Sequence, residues 1–331
     1  MTEQPQVQPH QRSAAQDAAG LGSWQVVPFL SEVLAVHAVL LPTGKVLFAA
    51  GSGNSAVRFA DPNFGDTALR FWTSVVWDPT VSSPPEAGFS HPATPRDAQG
   101  KVLDLFCGGE TLLADGRVLS AGGTQGYPGG ATQFAGRADT MVFSPVTQQW
   151  AVVRPMAHGR WYPSVIILGD GRVLAMAGLD ESALGTRNTT AESFFPAADY
   201  WQQLAMPLGF EGLPLYAHLY LLADGSVCYA GGHMDDGPAA PLRLDLTRSP
   251  ATVTPVAGLT RVDARDQCAS VLLPPAQDQK VMIIGGAPGG GNAIADVDFI
   301  EFTQPVPAYH TVAPLYSARK HPNATLLPFR T

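Results

Sequence analysis

Apolar and polar positions along this chain repeat a phrase: a pair of large apolar residues, a polar turn with glycine, an apolar run, then small residues. The copies are VLLPTGKVLFAAG (39–51), TLLADGRVLSAGG (111–123), IILGDGRVLAMAG (166–178), YLLADGSVCYAGG (220–232) and VLLPPAQDQKVMIIGG (271–286), and a sixth opens at TLLP (325–328). Each predicts two antiparallel strands around a tight turn, because Asp-Gly or Thr-Gly between apolar β-formers supplies the positive φ that a hairpin needs. Gly116, Gly171 and Gly225 are 55 and 54 residues apart, whereas Gly44 lies 72 before Gly116, so the first unit carries an insertion. Between the phrases, MVFSPVTQQW (141–150) and SFFPAADYW (193–201) each place Trp five residues after Pro, and TSVVWDPT (73–80) is a shorter version. These segments predict a third and a fourth strand joined at an outer edge, with the indole packed between units.

Four strands per unit at a period near ~50 residues predicts an all-β, kelch-type β-propeller of four-stranded antiparallel blades, not a helical solenoid. The chain holds about five such blades and the start of another. A β-sandwich with coincidental hairpins is the competing architecture. Residues 1–20 read as a disordered tail and 21–331 as one incomplete propeller domain with no interior boundary. Because the sixth phrase breaks off after its apolar pair, a truncated, open ring is expected, and its strand edges would favour self-association.

Composition narrows the partners. The 331 residues are 45% hydrophobic, enough for a core of this size, and Gly 34 with Pro 29 suits a turn-rich fold. A net charge of −8 disfavours nucleic acid. No apolar stretch reaches the ~18 residues of a membrane span, and the opening MTEQPQVQPHQRSAAQDAAG has no signal-peptide core. Cys107, Cys228 and Cys268 are too few and too scattered for a disulfide framework and read by default as buried thiols.

In a propeller the strand entering each hairpin lines the axial channel, so one repeat position forms a ring there. Five residues before each apolar pair stand Ala35, Cys107, Tyr162, Tyr216, Gln267 and His321. Cys107 and Tyr162 are one repeat apart and should be neighbours. Trp161 and Tyr216 join Gln267 and His321 as possible channel-lining residues. His37, His218 and His233 lack metal-ligand spacing and read as surface or packing residues. GGAPGGGNA (285–293) lacks the lysine of a phosphate-binding loop and reads as a connector.

Two segments, DLFCGGETLLADGRVLSAGG (104–123) and GRWYPSVIILGDGRVLAMAG (159–178), resemble those of the kelch-propeller copper radical oxidases, the galactose oxidase and glyoxal oxidase type, that carry a crosslinked cysteine and tyrosine. The resemblance implies seven blades, a thioether between Cys107 and Tyr162, and Tyr162 as copper ligand and radical site. It also implies oxidation of a small primary alcohol or aldehyde by O2 to give hydrogen peroxide, usually outside the cell. The family's other ligands, a Tyr-His pair and a later His, are not found in register. Tyr309-His310 has no hairpin after it at the right offset, and Lys320-His321 has the offset but lysine in place of tyrosine. Leu179 and Asp180 stand where one type of member places an indole over the modified tyrosine. The expectation is therefore oxidase descent with an incomplete copper set and no turnover by this chain; the alternative is a non-catalytic propeller that binds another protein.

Overall fold

The five complete phrases form hairpins in the computed structural model, which describes residues 26–27, 29–81, 85–234 and 237–326; the expected tail at 1–20 and most of the sixth phrase at 325–328 lie outside the described residues. Five four-stranded antiparallel blades follow in chain order. Blade 1 is His37–Leu40, Val46–Ala49, Ser74–Trp77 and Phe89–Ser90; blade 2 is Asp104–Leu112, Val118–Gly126, Thr140–Ser144 and Gln149–Val153, with the short strand Ala135–Gly136 added beside its second strand. Blade 3 is Ser164–Ile167, Val173–Met176, Ala191–Phe195 and Tyr200–Leu204; blade 4 is Leu219–Leu221, Val227–Tyr229, Leu242–Asp245 and Thr252–Pro255. Blade 5 is Ala269–Leu272, Lys280–Ile284, Val297–Glu301 and His310–Thr311. The fold is thus an all-β propeller; among the described residues helix is confined to Ala56–Ala60, within the insertion of the first unit, and three short 3-10 turns.

The hairpin turns repeat in atomic detail. In blade 2 the Gly116 amide donates to the Leu113 carbonyl at 2.9 Å and the Asp115 carboxylate accepts from the Arg117 amide at 3.1 Å. Asp170 with Arg172 and Asp224 with Ser226 do the same in blades 3 and 4. Gly44, Gly116, Gly171 and Gly225 have φ of 78°, 85°, 85° and 82°. A β-carbon at Gly171 would meet nothing within 4 Å, so the residue answers to backbone conformation alone. Gly171→Ala should cost about 1 kcal/mol through the left-handed φ. An unchanged denaturation midpoint would contradict that account. In the fifth hairpin, which has no glycine in the turn, Gln279 takes the left-handed role at φ 51° after a 3-10 turn.

Side chains from consecutive blades interdigitate. Between blades 2 and 3 the core contains Leu119, Ala121, Val142, Val165, Val173 and Phe194. The indoles bridge blades as expected: Trp150 Nε1 donates to Ser74 Oγ at 3.0 Å, and Trp201 Nε1 to Thr140 Oγ1 at 3.1 Å. Blades 3 and 5 also share a charged brace. Arg160 and Arg265 each stand two residues before a ring position, fully buried, and pair with Glu192 and Asp298 on the third strand of their blades. Their guanidinium groups also donate to the carbonyls that end the second strands, Arg160 to Ala177 at 2.9 Å and Arg265 to Gly285 at 3.0 Å.

Candidate functional site

The ring positions converge at one mouth of the channel with a shared backbone geometry. Cys107, Tyr162, Tyr216, Gln267 and His321 have φ of 62°, 64°, 46°, 56° and 50°. Left-handed φ favours glycine, and non-glycine residues there are strained by about 1 kcal/mol or more. None of the five is glycine, so their side chains are kept against the preference of the backbone. Ala35 does not share this conformation; the left-handed residue that precedes the first hairpin is Glu32, at φ 63°.

Amide bonds pass around the ring from blade to blade. Tyr162 N donates to the Cys107 carbonyl at 2.9 Å, Tyr216 N to that of Tyr162 at 2.9 Å, and His321 N to that of Gln267 at 2.8 Å. Between Tyr216 and Gln267 the series is spliced: Gln267 N bonds the His233 carbonyl at 2.8 Å. Cys107 and Tyr162 are therefore adjacent, as their one-repeat separation requires.

Around Tyr162 the rings form a continuous stack. Trp161 lies parallel to it at 3.8 Å between centroids and 7°, and Tyr216 covers it at 4.4 Å and 18°. Phe134 then stacks on Trp161 at 4.0 Å and 12°. Leu179 and Asp180 offer no indole to Tyr162, yet Trp161, its own chain neighbour, supplies one. Trp161 is 6% exposed and packs with Phe106, Cys107 and Leu215. The Tyr216 hydroxyl donates to the Gly108 carbonyl at 2.8 Å, which ties it to blade 2 beside Cys107. Burial, with the negative charges that Cys107, Tyr162 and Glu110 would carry if ionised, holds the Tyr216 phenol well above its usual range. Nearby, the Tyr127 hydroxyl meets Ser52 at 2.7 Å, Ser52 donates to Asp104, and burial pushes the Tyr127 phenol up to about 12.

A cavity of about 490 Å³ lies beside the stack, lined by Tyr216, Gln267 and His321 together with His37, Glu110, His218 and His233. The three histidines, expected at the surface or in packing, are instead brought together here. The signal was in the repeat register: His37 and His218 share one repeat position, where the other blades have Gly109, Ser164 and Ala269. Burial drives the imidazoles of both His37 and His218 down to about 4, so they are neutral at physiological pH.

Other candidates resolve into structure. Tyr309 is buried with its hydroxyl donating to the Ala230 carbonyl at 3.0 Å, and His310 sits on the outer strand of blade 5 against Phe299. Cys228 and Cys268 are buried; desolvation raises both thiols, that of Cys268 to about 12. Among the described residues no group of three or more His, Cys, Asp or Glu side chains is arranged to hold a metal ion. Of the copper ligands that the resemblance implies, Tyr162 is the one with a counterpart in register, and no such group supplies the others among the described residues.

Fold and ring together define a propeller with a thiol and stacked phenols at its axial mouth. No protein-family model matches the chain. Among solved structures it is similar to a fungal alcohol oxidase of the AA5 family in complex with copper, with a TM-score of 0.62 and 22% identity over 88% of this chain and 56% of that one. The likeness establishes a shared propeller fold, and the chain spans little more than half the length of that oxidase. Over 119 residues, 35% of this chain and 16% of the other, it is 26% identical to tRNA wybutosine-synthesizing protein 4 of Saccharomyces cerevisiae.

Proposed function

We propose that this chain carries the organic half of a copper-radical-oxidase site, with Cys107 and Tyr162 as a pair that can be joined by a thioether. The observation that carries the reading is their adjacency through the 2.9 Å amide bond, both residues held in left-handed conformation inside the aromatic stack. A sulfur ortho to the phenol donates electron density and eases its oxidation, and flanking π-faces spread the resulting charge. In the proposed crosslinking, the Cys107 S–H and an ortho C–H of Tyr162 break and one S–C bond forms. Two protons and two electrons leave, and O2 accepts them as hydrogen peroxide. Oxidation of a small primary alcohol or aldehyde would need copper ligands beyond those described.

Incubation with copper(II) and O2, followed by intact mass and peptide mapping under reducing conditions, tests the pair. The expected product has lost two hydrogens and links the Cys107 and Tyr162 peptides. An alkylatable Cys107 in every molecule would remove oxidase chemistry from this chain. Sustained peroxide release from galactose, glyoxal or methylglyoxal is not expected. Turnover abolished by Tyr162→Phe would show that further residues complete the centre. The second reading, a non-catalytic binding propeller, is favoured by the lack of a metal-holding cluster among the described residues; it has no cause to form the thioether.

A further inference from the structure

The axial cavity contains polar atoms that the fold leaves unused. Both carboxylate oxygens of Glu110, Nε2 of His37 and Nε2 of His233 are buried with no hydrogen-bond partner within the described chain, and all three residues line the same cavity. Buried polar groups without partners are costly, and a few per domain call for an explanation.

The repeat shows that folding does not require them. At the position of Glu110 the other blades have Ala38, Val165, Leu219 and Ser270; at that of His233 they have Ser52, Thr124, Leu179 and Ala287. Small or apolar residues suffice at most of these places, so the acid and the imidazole are additions to the blade pattern.

Their chemistry selects one kind of ligand. His233 Nδ1 lies 3.3 Å from the Gly231 carbonyl and 3.0 Å from the Tyr229 hydroxyl. In the tautomer that donates from Nδ1 to that carbonyl, Nε2 presents a bare lone pair. Once ionised, the carboxylate of Glu110 likewise accepts. No Lys or Arg is among the residues lining the cavity, which leaves an anion without a counter-charge. Among the described residues no cluster of three His, Cys, Asp or Glu donors is placed for a metal ion, and about 490 Å³ suits a small organic molecule better than a bare ion. The ring of Tyr216 adds a π-surface of the sort that attracts cations.

We propose that this cavity binds a small organic primary ammonium ion, with Glu110 as its counter-ion and His233 Nε2 accepting a second N–H. Burial raises the Glu110 carboxyl to about 8, so near pH 7 it holds a proton that it must surrender to the solvent when the ammonium binds. Binding of this cation is therefore coupled to proton release. The site is separate from the Cys107–Tyr162 pair and does not depend on the thioether.

Calorimetry at pH 7 in two buffers of different ionisation enthalpy, with n-butylammonium as probe, tests this. Butyrate and 1-butanol serve as controls with the same carbon skeleton. The expected result is a Kd of about 1 mM or tighter, release of nearly one proton per ion bound, and affinity for both controls lower by at least about tenfold. Glu110→Gln should weaken n-butylammonium by about tenfold or more and abolish the proton release. Equal binding of 1-butanol, unchanged affinity in Glu110→Gln, or no binding up to about 20 mM would each overturn the proposal.

Discussion

Replacing Arg265 with methionine is expected to destabilise the protein by about 3–5 kcal/mol, because it strands the buried Asp298 carboxylate. Both side chains are 0% exposed, and the guanidinium also donates to the carbonyls of Thr260, Gly285 and Asp296. Removing it leaves one buried charge and three carbonyls short of a donor, against a typical domain stability of about 5–15 kcal/mol. The double change Arg265→Met with Asp298→Leu should recover much of the loss, since a pair of apolar groups can replace a buried ion pair at little cost. Guanidinium denaturation of the single and double variants gives the comparison. A loss under about 1 kcal/mol in the single variant would mean that the brace is idle. Blade 3 should respond in the same way through Arg160 and Glu192, whose side chains are 0% and 1% exposed.

The second large effect is a fall in stability toward alkaline pH that Glu110→Gln removes. The native Glu110 carboxyl is raised by burial to about 8 from an ordinary value of 4.5. Between those values the native state retains a proton that the unfolded chain has released. Stability therefore declines as pH rises through that window, by up to about 1.4 kcal/mol per unit and about 5 kcal/mol in all, and levels above it. His37 and His218 act in the opposite sense. Their native values of about 4 lie below the ordinary 6.5, so the unfolded chain gains protons first and stability falls as pH drops through that range. Together the three groups place the optimum near the ordinary histidine range. Melting temperatures across that span should show the alkaline limb vanish in Glu110→Gln while the acid limb stays. An alkaline limb of equal depth in the variant would mean that Glu110 keeps access to water or a partner. The variant should fold at least as well as the parent at neutral pH, so loss of ammonium binding in it reports the site.

The blades were legible because hairpins are local. Thr-Gly and Asp-Gly turns at Gly44, Gly116, Gly171 and Gly225, each followed by an apolar run, specify two strands without help from the rest of the chain. The ring followed from register alone, and its five left-handed members from Cys107 to His321 occupy the place that counting backwards from each apolar pair assigns. Contacts made across blades were harder to read. The stacking of Phe134 and Trp161 joins residues of different blade connections, so no spacing marks it in advance. Glu110 escaped notice, and His233 read as a surface or packing residue, for another reason. Each falls where the repeat tolerates a polar residue, and only the packing of the blades around the cavity shows that their polar atoms are cut off from water. The braces built on Arg160 and Arg265 were half visible: the arginines share a repeat position, but their acidic partners stand on third strands that vary in sequence.

The stack that holds Tyr162 also sets how the protein handles light. Trp161 lies face to face with Phe134 on one side and Tyr162 on the other, at separations where aromatic orbitals overlap. Rings held in contact at fixed angles couple their electronic transitions. Near-ultraviolet circular dichroism is dominated by ordered, closely coupled chromophores, so it should report the state of the mouth, and Trp161→Leu should remove much of the signal.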